Sequence, residues 1–399
     1  MRLLRSLLSS PLFHISTLTC VLGAVFLKTT IVPMDDNALY QRFIETLARG
    51  TVDLSIPGFH GASFLALPFF LATGSALSNI YTQIICSLLL PAIAYGAARA
   101  LLFDKFQSVL FAYAVTCMPF VLFLSFRGFT FSSYFLLVLL TLALRSRGSR
   151  WAWLPLGLSV ITKPFSIALL PFFLLWKPIG RDQSGVRNGW VQMFLGLFIP
   201  VVYVIAEELQ IGHIIVGAHP DITQNNVFPL WRLPLNAAHG VQMLFSIHNF
   251  YFVDPAKTSM SNALLSSPVL MALGMLSLLY PQMFWKDRRL ALALGLSAAL
   301  AFLLACALDH MDQLYLGTTV LLLAIASLPV IARFSLLLPI VLATLHFQFF
   351  YTYLAYRGVF FSSPWIFVLP ATIDVLALAA WMVLVLPDLR WKQFWANWA

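Results

Sequence analysis

The sequence predicts an all-α polytopic membrane protein that crosses the bilayer about twelve times, and three observations carry that expectation. Of 399 residues, 60% are hydrophobic and only 10% charged, far from the roughly 45–50% and 25% of a water-soluble domain. The apolar residues fall into long stretches, and a chain in lipid must satisfy its backbone polar groups within each stretch, which requires helices. The net charge of +9 collects in short basic segments between those stretches, the pattern of loops retained in the cytoplasm. The basic balance is therefore a topology signal and not a nucleic-acid signal. Cys20, Cys86, Cys117 and Cys306 each lie in a different apolar stretch without metal-ligand spacing and read as buried thiols.

Taken in order, Arg2 and Arg5 precede the apolar run Leu12 to Val32, which is long for a signal peptide and reads as a retained first helix. Further spans are expected at 80–101, 107–125, 129–144, 151–161, 164–176, 190–206, 264–284, 290–308, 315–331, 335–353 and 366–386. The stretch 60–78 is read as a helix dipping into the outer leaflet, and 151–176 as two short crossings broken at Thr162-Lys163-Pro164. Charge decides for the break. With it, Arg99, Lys105, Arg145, Arg147, Arg150, Lys177, Arg181, Arg187, Lys286, Arg288, Arg289 and Arg333 fall inside; without it, everything after residue 176 inverts and the inside loses its basic excess. Both termini are then cytoplasmic, and the outer segments are 33–79 and 207–263. No repeat or composition break marks a second domain, so 1–399 is expected to form one membrane domain with no soluble C-terminal domain.

Acids and histidines sort by the same map. Asp35, Asp36, Glu45, Asp53, Glu207, Glu208, Asp221, Asp254, Asp309 and Asp312 fall outside, with His60, His213, His219, His239, His248 and His310. Chemistry is therefore expected on the outer face. After Asp35-Asp36-Asn37, the residues Leu39, Tyr40, Phe43, Ile44, Leu47 and Ala48 recur at helical spacing before Gly50, as in an amphipathic helix on the membrane surface. One carboxylate suffices for a cap. A pair just beyond a membrane exit also suits a general base acting on a hydroxyl, or a divalent-cation site.

Lys163 stands in the helix break with Pro164 behind it, where a helix start and an ammonium together make an anion site; the plainer reading is a lysine snorkelling to the interface. Arg127 and Arg357 occupy short outer turns, as anchors or anion contacts. Asp309-His310-Met311-Asp312 either binds a cation or caps a chain reversal. The remaining outer histidines show no metal-ligand spacing, Asp374 is alone in the last span, and Trp391, Trp395 and Trp398 read as an interfacial tail.

The order of segments resembles the GT-C superfamily of membrane glycosyltransferases, particularly the branch of protein O-mannosyltransferases and lipid A aminoarabinose transferases. The matching segments are MDDNALYQRFIETLARG from Met34 to Gly50, FHGASFLALPFFLATG with His60 in a basic position, AYGAARALLFDK, and GLSVITKPFSIALLP from Gly157 to Pro171. They cover the first half well and the second only by its alternation of helices. Gly61-Ala62 stands where relatives carry prolines, and Ser132-Ser133 where they often carry an acid.

The resemblance implies an inverting transfer of a sugar from a polyprenyl-phosphate donor to a glycan, lipid or protein acceptor on the extracytoplasmic face of a bacterial inner membrane. It implies Asp35 and Asp36 as the catalytic pair, with a divalent cation on them if one is used. Lys163, Arg127 and His60 would hold the donor phosphate, and Asp309, His310 and Arg357 would add substrate or cation contacts. The 207–263 segment, with Asn225, Asn226, Phe228 and Trp231, would meet the acceptor. A lipid-linked-sugar flippase or other secondary transporter, and a glycan polymerase or ligase using a lipid-diphosphate donor, are the competing classes; the first usually shows internal repeats.

Overall fold

The computed structural model describes residues 10–29, 31, 33, 35–56, 58–118, 121, 125, 128–176, 189–212, 230–245, 247–250, 261–264, 267–308, 313–334, 337–346, 376 and 379. Helix α1 (Pro11–Lys28) opens with proline at its first turn, where no N–H is needed. The surface helix α2 (Asp35–Ala48) follows, then α3 (Gly61–Thr73), closed by Gly74 in the left-handed region. Next come α4 (Ser78–Ala100) and α5 (Lys105–Thr116). A capping box opens α5: Gln107 N donates to Asp104 at 2.8 Å and Asp104 N to Gln107 Oε1 at 3.0 Å.

Helix α6 (Phe131–Ser146) leads to α7 (Trp153–Thr162), and beyond Lys163 the chain continues as a 3₁₀ turn, Pro164–Leu169, into α8 (Leu170–Leu175). Then come α9 (Gly189–Ile211) and α10 (Leu233–Phe245). Strands β1 (Ile247–Phe250) and β2 (Ser261–Leu264) pair antiparallel with Ile247 opposite Leu264. The set closes with α11 (Pro268–Leu279), α12 (Pro281–Phe284), α13 (Arg288–Cys306) and α14 (Gly317–Arg333), and residues 338–346 are helical.

Four of the described helices, α1, α4, α9 and α13, are long and apolar enough to cross a membrane, and the chain is an integral membrane protein. Helices α1 and α9 leave most of their apolar surface outside the protein core, as lipid-facing helices do. Helix α14 is buried on every side from Gly317 to Ile331 and forms the centre with α11 and α13, while α4 pairs with α6 and α7 with α9.

The helical break at Lys163 stands where charge placed it. Two features depart from the sequence reading. The expected span 107–125 leaves the α-helix at Thr116. The expected outer loop 207–263 contains a helix, α10, and the short hairpin, so the described residues are helical but for one two-stranded pair. The signal for α10 is legible in retrospect: buried Asn236, Gly240 and Leu244 recur at every fourth position. The expected span 366–386, with Asp374, lies outside the described residues except for 376 and 379.

Candidate functional site

Two sets of contacts join the first turns of α2 to the helix break at Lys163. The first runs through the start of α3. His60 is fully buried and stacks on Phe43 of α2, ring centroids 3.8 Å apart at 5°, with Tyr40 edge-on at 6.3 Å. Its neighbour Gly61 touches the end of α7: a Cβ there would lie 2.4 Å from Thr162 Oγ1 and 2.6 Å from the Leu158 carbonyl oxygen. Only glycine lets the two backbones approach this closely.

The second set runs through the turn before α6. Asn79 Nδ2, on α4, donates to Asn37 Oδ1 at 2.9 Å and to the Gly128 carbonyl at 2.7 Å. Gly128 has φ +83°, and a Cβ on it would lie 2.3 Å from Asn37 Oδ1. Three residues on, Phe131 lies under Lys163, whose Nζ is 4.2 Å from the ring centroid. Asn37 on α2 and Lys163 on the break are thus both held by the short segment 128–131.

Lys163 is itself the link between two helices. Its backbone is extended, with φ −153° and ψ 124°, its N–H closes α7 on the Ser159 carbonyl at 2.8 Å, and the 3₁₀ turn starts from its carbonyl. Ser159 Oγ donates to Ser166 Oγ at 2.9 Å beneath it, and Phe165 packs on Tyr315 at 5.2 Å. The residue before proline is sterically driven to this extended conformation, so the sequence Lys163-Pro164 writes the break locally.

Burial pushes the His60 imidazole down to about 4, against the smaller opposing effects of its bond to the Ile56 carbonyl and of the Asp53 charge. At neutral pH the ring is uncharged. Nε2 donates to the Ile56 carbonyl at 2.7 Å, and Nδ1 has no hydrogen-bond partner among the described residues. The expectation that His60 supplies positive charge to a phosphate therefore gives way to a neutral ring packed between α2 and α3. Among the described residues, Lys163 is left as the cation of this group.

Asp35 and Asp36 stand in the first turn of α2, directly before Asn37. Arg127, Asp309, His310 and Arg357 lie outside the described residues. Ser132 and Ser133 are fully buried. Ser132 Oγ shares 2.7 Å bonds with Ser87 and Ser125, and Ser133 N donates to Gln83 Oε1 at 3.0 Å. Among the described residues no three of His, Cys, Asp and Glu come together as a cation cage. Asp35 and Asp36 remain the pair the sequence offers to a cation.

Residue-by-residue reading did not single out Asn79, Gln83 or Glu207. Asn79, Gln83 and Ser87 form an i, i+4 polar stripe along one face of an otherwise apolar helix, and that spacing was the available signal. Glu207 is buried near the C-terminal end of α9, one turn beyond Tyr203, which packs against the cluster of Phe43, Leu54 and Ile56. Gln210 ties the same end of α9 to the loop after α2 through Leu54 N at 2.9 Å and the Val52 carbonyl at 3.1 Å.

No protein-family model matches the chain, and no curated protein matches it in sequence. Among solved structures it is similar to ArnT from Cupriavidus metallidurans bound to undecaprenyl phosphate, with a TM-score of 0.54 and 14% identity over 84% of this chain and 64% of that one. It also matches the oligosaccharyltransferase AglB of Archaeoglobus fulgidus in complex with an inhibitory peptide and a dolichol-phosphate, with a TM-score of 0.48 and 11% identity over 94% and 54%. Both neighbours are GT-C glycosyltransferases, and the chain has the fold seen in ArnT. It spans about two thirds of the ArnT chain or less.

Proposed function

We propose that the protein is an inverting glycosyltransferase that moves a sugar from a polyprenyl-phosphate donor to an acceptor on the extracytoplasmic face of a bacterial inner membrane. The observation that carries this reading is the double junction between α2 and Lys163: the helix bearing two carboxylates is joined to one cation at a helix break, through α3 on one side and through Asn79 and the segment 128–131 on the other, inside an integral membrane protein. Its fold-mate ArnT holds undecaprenyl phosphate, which supports a lipid-phosphate carrier here. In this reading the whole chain, 1–399, is one domain of about twelve crossings with both termini cytoplasmic.

A donor with a long lipid tail enters sideways from the bilayer, so its phosphate stays near the interface and its sugar projects outward. Asp35 takes the proton from the acceptor hydroxyl while Asp36 orients that hydroxyl or shares a cation. The acceptor oxygen attacks the anomeric carbon from the face opposite the phosphate, the bond from that carbon to the phosphate oxygen breaks with its electron pair leaving on the phosphate, and the configuration inverts. Lys163, helped by Arg127, offsets the charge on the departing lipid phosphate. His60 contributes as the neutral ring that sets the spacing between α2 and Lys163. Asp309, His310 and Arg357 add substrate contacts, and the outer segment 207–263 meets the acceptor.

The test is transfer from radiolabelled polyprenyl-phosphate sugars into acceptor fractions by membranes carrying the wild type, Asp35→Asn or Lys163→Ala. Loss of about 10²–10⁴-fold is expected for Asp35→Asn and about 10²–10³-fold for Lys163→Ala. Unchanged transfer in Asp35→Asn sinks the assignment of the base. Transfer only from diphosphate-linked donors would move the protein to the polymerase or ligase class.

A further inference from the structure

Three side chains on one face of α4 bond to the chain around the start of α6. Asn79 Nδ2 donates to the Gly128 carbonyl at 2.7 Å, Gln83 Oε1 accepts from Ser133 N at 3.0 Å, and Ser87 Oγ donates to Ser132 Oγ at 2.7 Å. All three side chains are fully buried, where hydrogen bonds are stronger than in water. Gln83 and Ser87 fasten α4 to the segment 121–133. Asn79, the second residue of α4, also reaches α2: its other amide hydrogen goes to Asn37 Oδ1 at 2.9 Å.

The two hydrogens of one planar amide point in fixed directions, so Asn79 sets the separation of Asn37 from Gly128. Asn37 is itself only 4% exposed. No side chain stands between the two segments, since a Cβ on Gly128 would lie 2.3 Å from Asn37 Oδ1 and 2.5 Å from Asn37 Cβ. Beyond Gly128, the Phe131 ring lies 4.2 Å from Lys163 Nζ, and α14 backs that ring: a Cβ on Gly317 would lie 3.4 Å from Phe131 Cε1. On the other side, Asp35 and Asp36 directly precede Asn37 in the first turn of α2.

We infer that Asn79 is a positioning residue for sugar transfer: by holding Asn37 and Gly128 on one amide, it sets the distance between the carboxylate pair of α2 and the Lys163 cation. The inference rests on the transferase reading above. In that reaction the base acts on the acceptor hydroxyl and the cation on the departing phosphate, so their separation matters at the transition state. A displacement of about 1 Å in such a constellation costs up to about 10²-fold in rate. Lys163 is also held by its own helix break, through the bond between Ser159 and Ser166. Loss of the Asn79 bonds therefore misplaces the base more than the phosphate site, which lowers kcat with little change in the donor KM.

Transfer from radiolabelled polyprenyl-phosphate sugars at varied donor concentration, expressed per folded full-length protein, tests this. Asn79→Ala is expected to lower kcat by about 10–10²-fold with the donor KM little changed. Asn37→Ala removes only the bond to α2; it should lower kcat in the same way and remains informative if Asn79→Ala fails to fold. The double variant should be no worse than Asn79→Ala. Ser87→Ala, which loosens α4 from α6 without touching Asn37, should lower Tm and keep kcat. Three results overturn the inference: an unchanged kcat in Asn79→Ala and Asn37→Ala, an equal fall in Ser87→Ala, or single effects that multiply in the double variant. Wild type and Asp35→Asn are run alongside. No transfer by the first, or full transfer by the second, marks failure of the transferase reading, which takes the inference with it.

Discussion

His60 shows how one side chain can carry a testable property at the residue scale. Its folded pKa of about 4 lies below the ordinary 6.5, so between those values the unfolded chain binds a proton that the folded chain refuses. The stability is fully present above pH 6.5 and is lost as pH falls toward 4, by about 3 kcal/mol in all. Thermal unfolding followed from pH 7.5 to 4 should show this decline in the wild type and a flatter profile in His60→Gln. Gly61 is the second such residue. In Gly61→Ala the new methyl meets backbone atoms of α7 at 2.6 and 2.7 Å, so α3 has to move off the end of α7. A loss of about 1–3 kcal/mol is expected, read as a lower Tm, together with reduced sugar transfer.

Among the elements, the α7 to α8 break and helix α10 contrast in how they are specified. The break is written locally by Lys163-Pro164 and supported by the Ser159 to Ser166 hydrogen bond. Helix α10 is placed by a distant partner: Asn236 Nδ2 caps the end of α13 by donating to the carbonyls of Cys306 at 2.9 Å and Leu308 at 2.8 Å. Asn236→Ala leaves both carbonyls unmet by this donor, at a cost of about 1–3 kcal/mol. Hydrogen exchange should then speed up in α10 and at the end of α13 while α4 and α6 keep their protection. An unchanged exchange pattern would show that α10 is held by other means.

For the whole molecule, topology is the property to check. The charge map places Thr51 and Arg150 on opposite sides of the membrane, and both are exposed. Single cysteines at the two positions should react with an impermeant maleimide from opposite sides of sealed vesicles, with Cys20→Ser as the background. Labelling from one side would overturn the three crossings expected between them, 80–101, 107–125 and 129–144, because an odd number of spans between the two positions is what that topology requires.

How far the sequence carried this description depends on the range of the interaction. Apolar runs, the break at Lys163 and helix α2 with its closing Gly50 are local, written in hydropathy and in the steric preferences of neighbouring residues, so they were legible. Asn79 could be seen as polar in an apolar span, but its partners Asn37 and Gly128 are 42 and 49 residues away. The neutrality of His60 has the same origin: a histidine in an outer segment reads as solvated until Phe43 is stacked on it. By itself, then, the sequence determined the membrane class, most helix positions and the residue types available for chemistry, since these follow from short-range preferences and the cost of charge in lipid. Only the tertiary structure decided which of those residues meet and which keep their charge, because desolvation and hydrogen-bond pairing are properties of the packed chain.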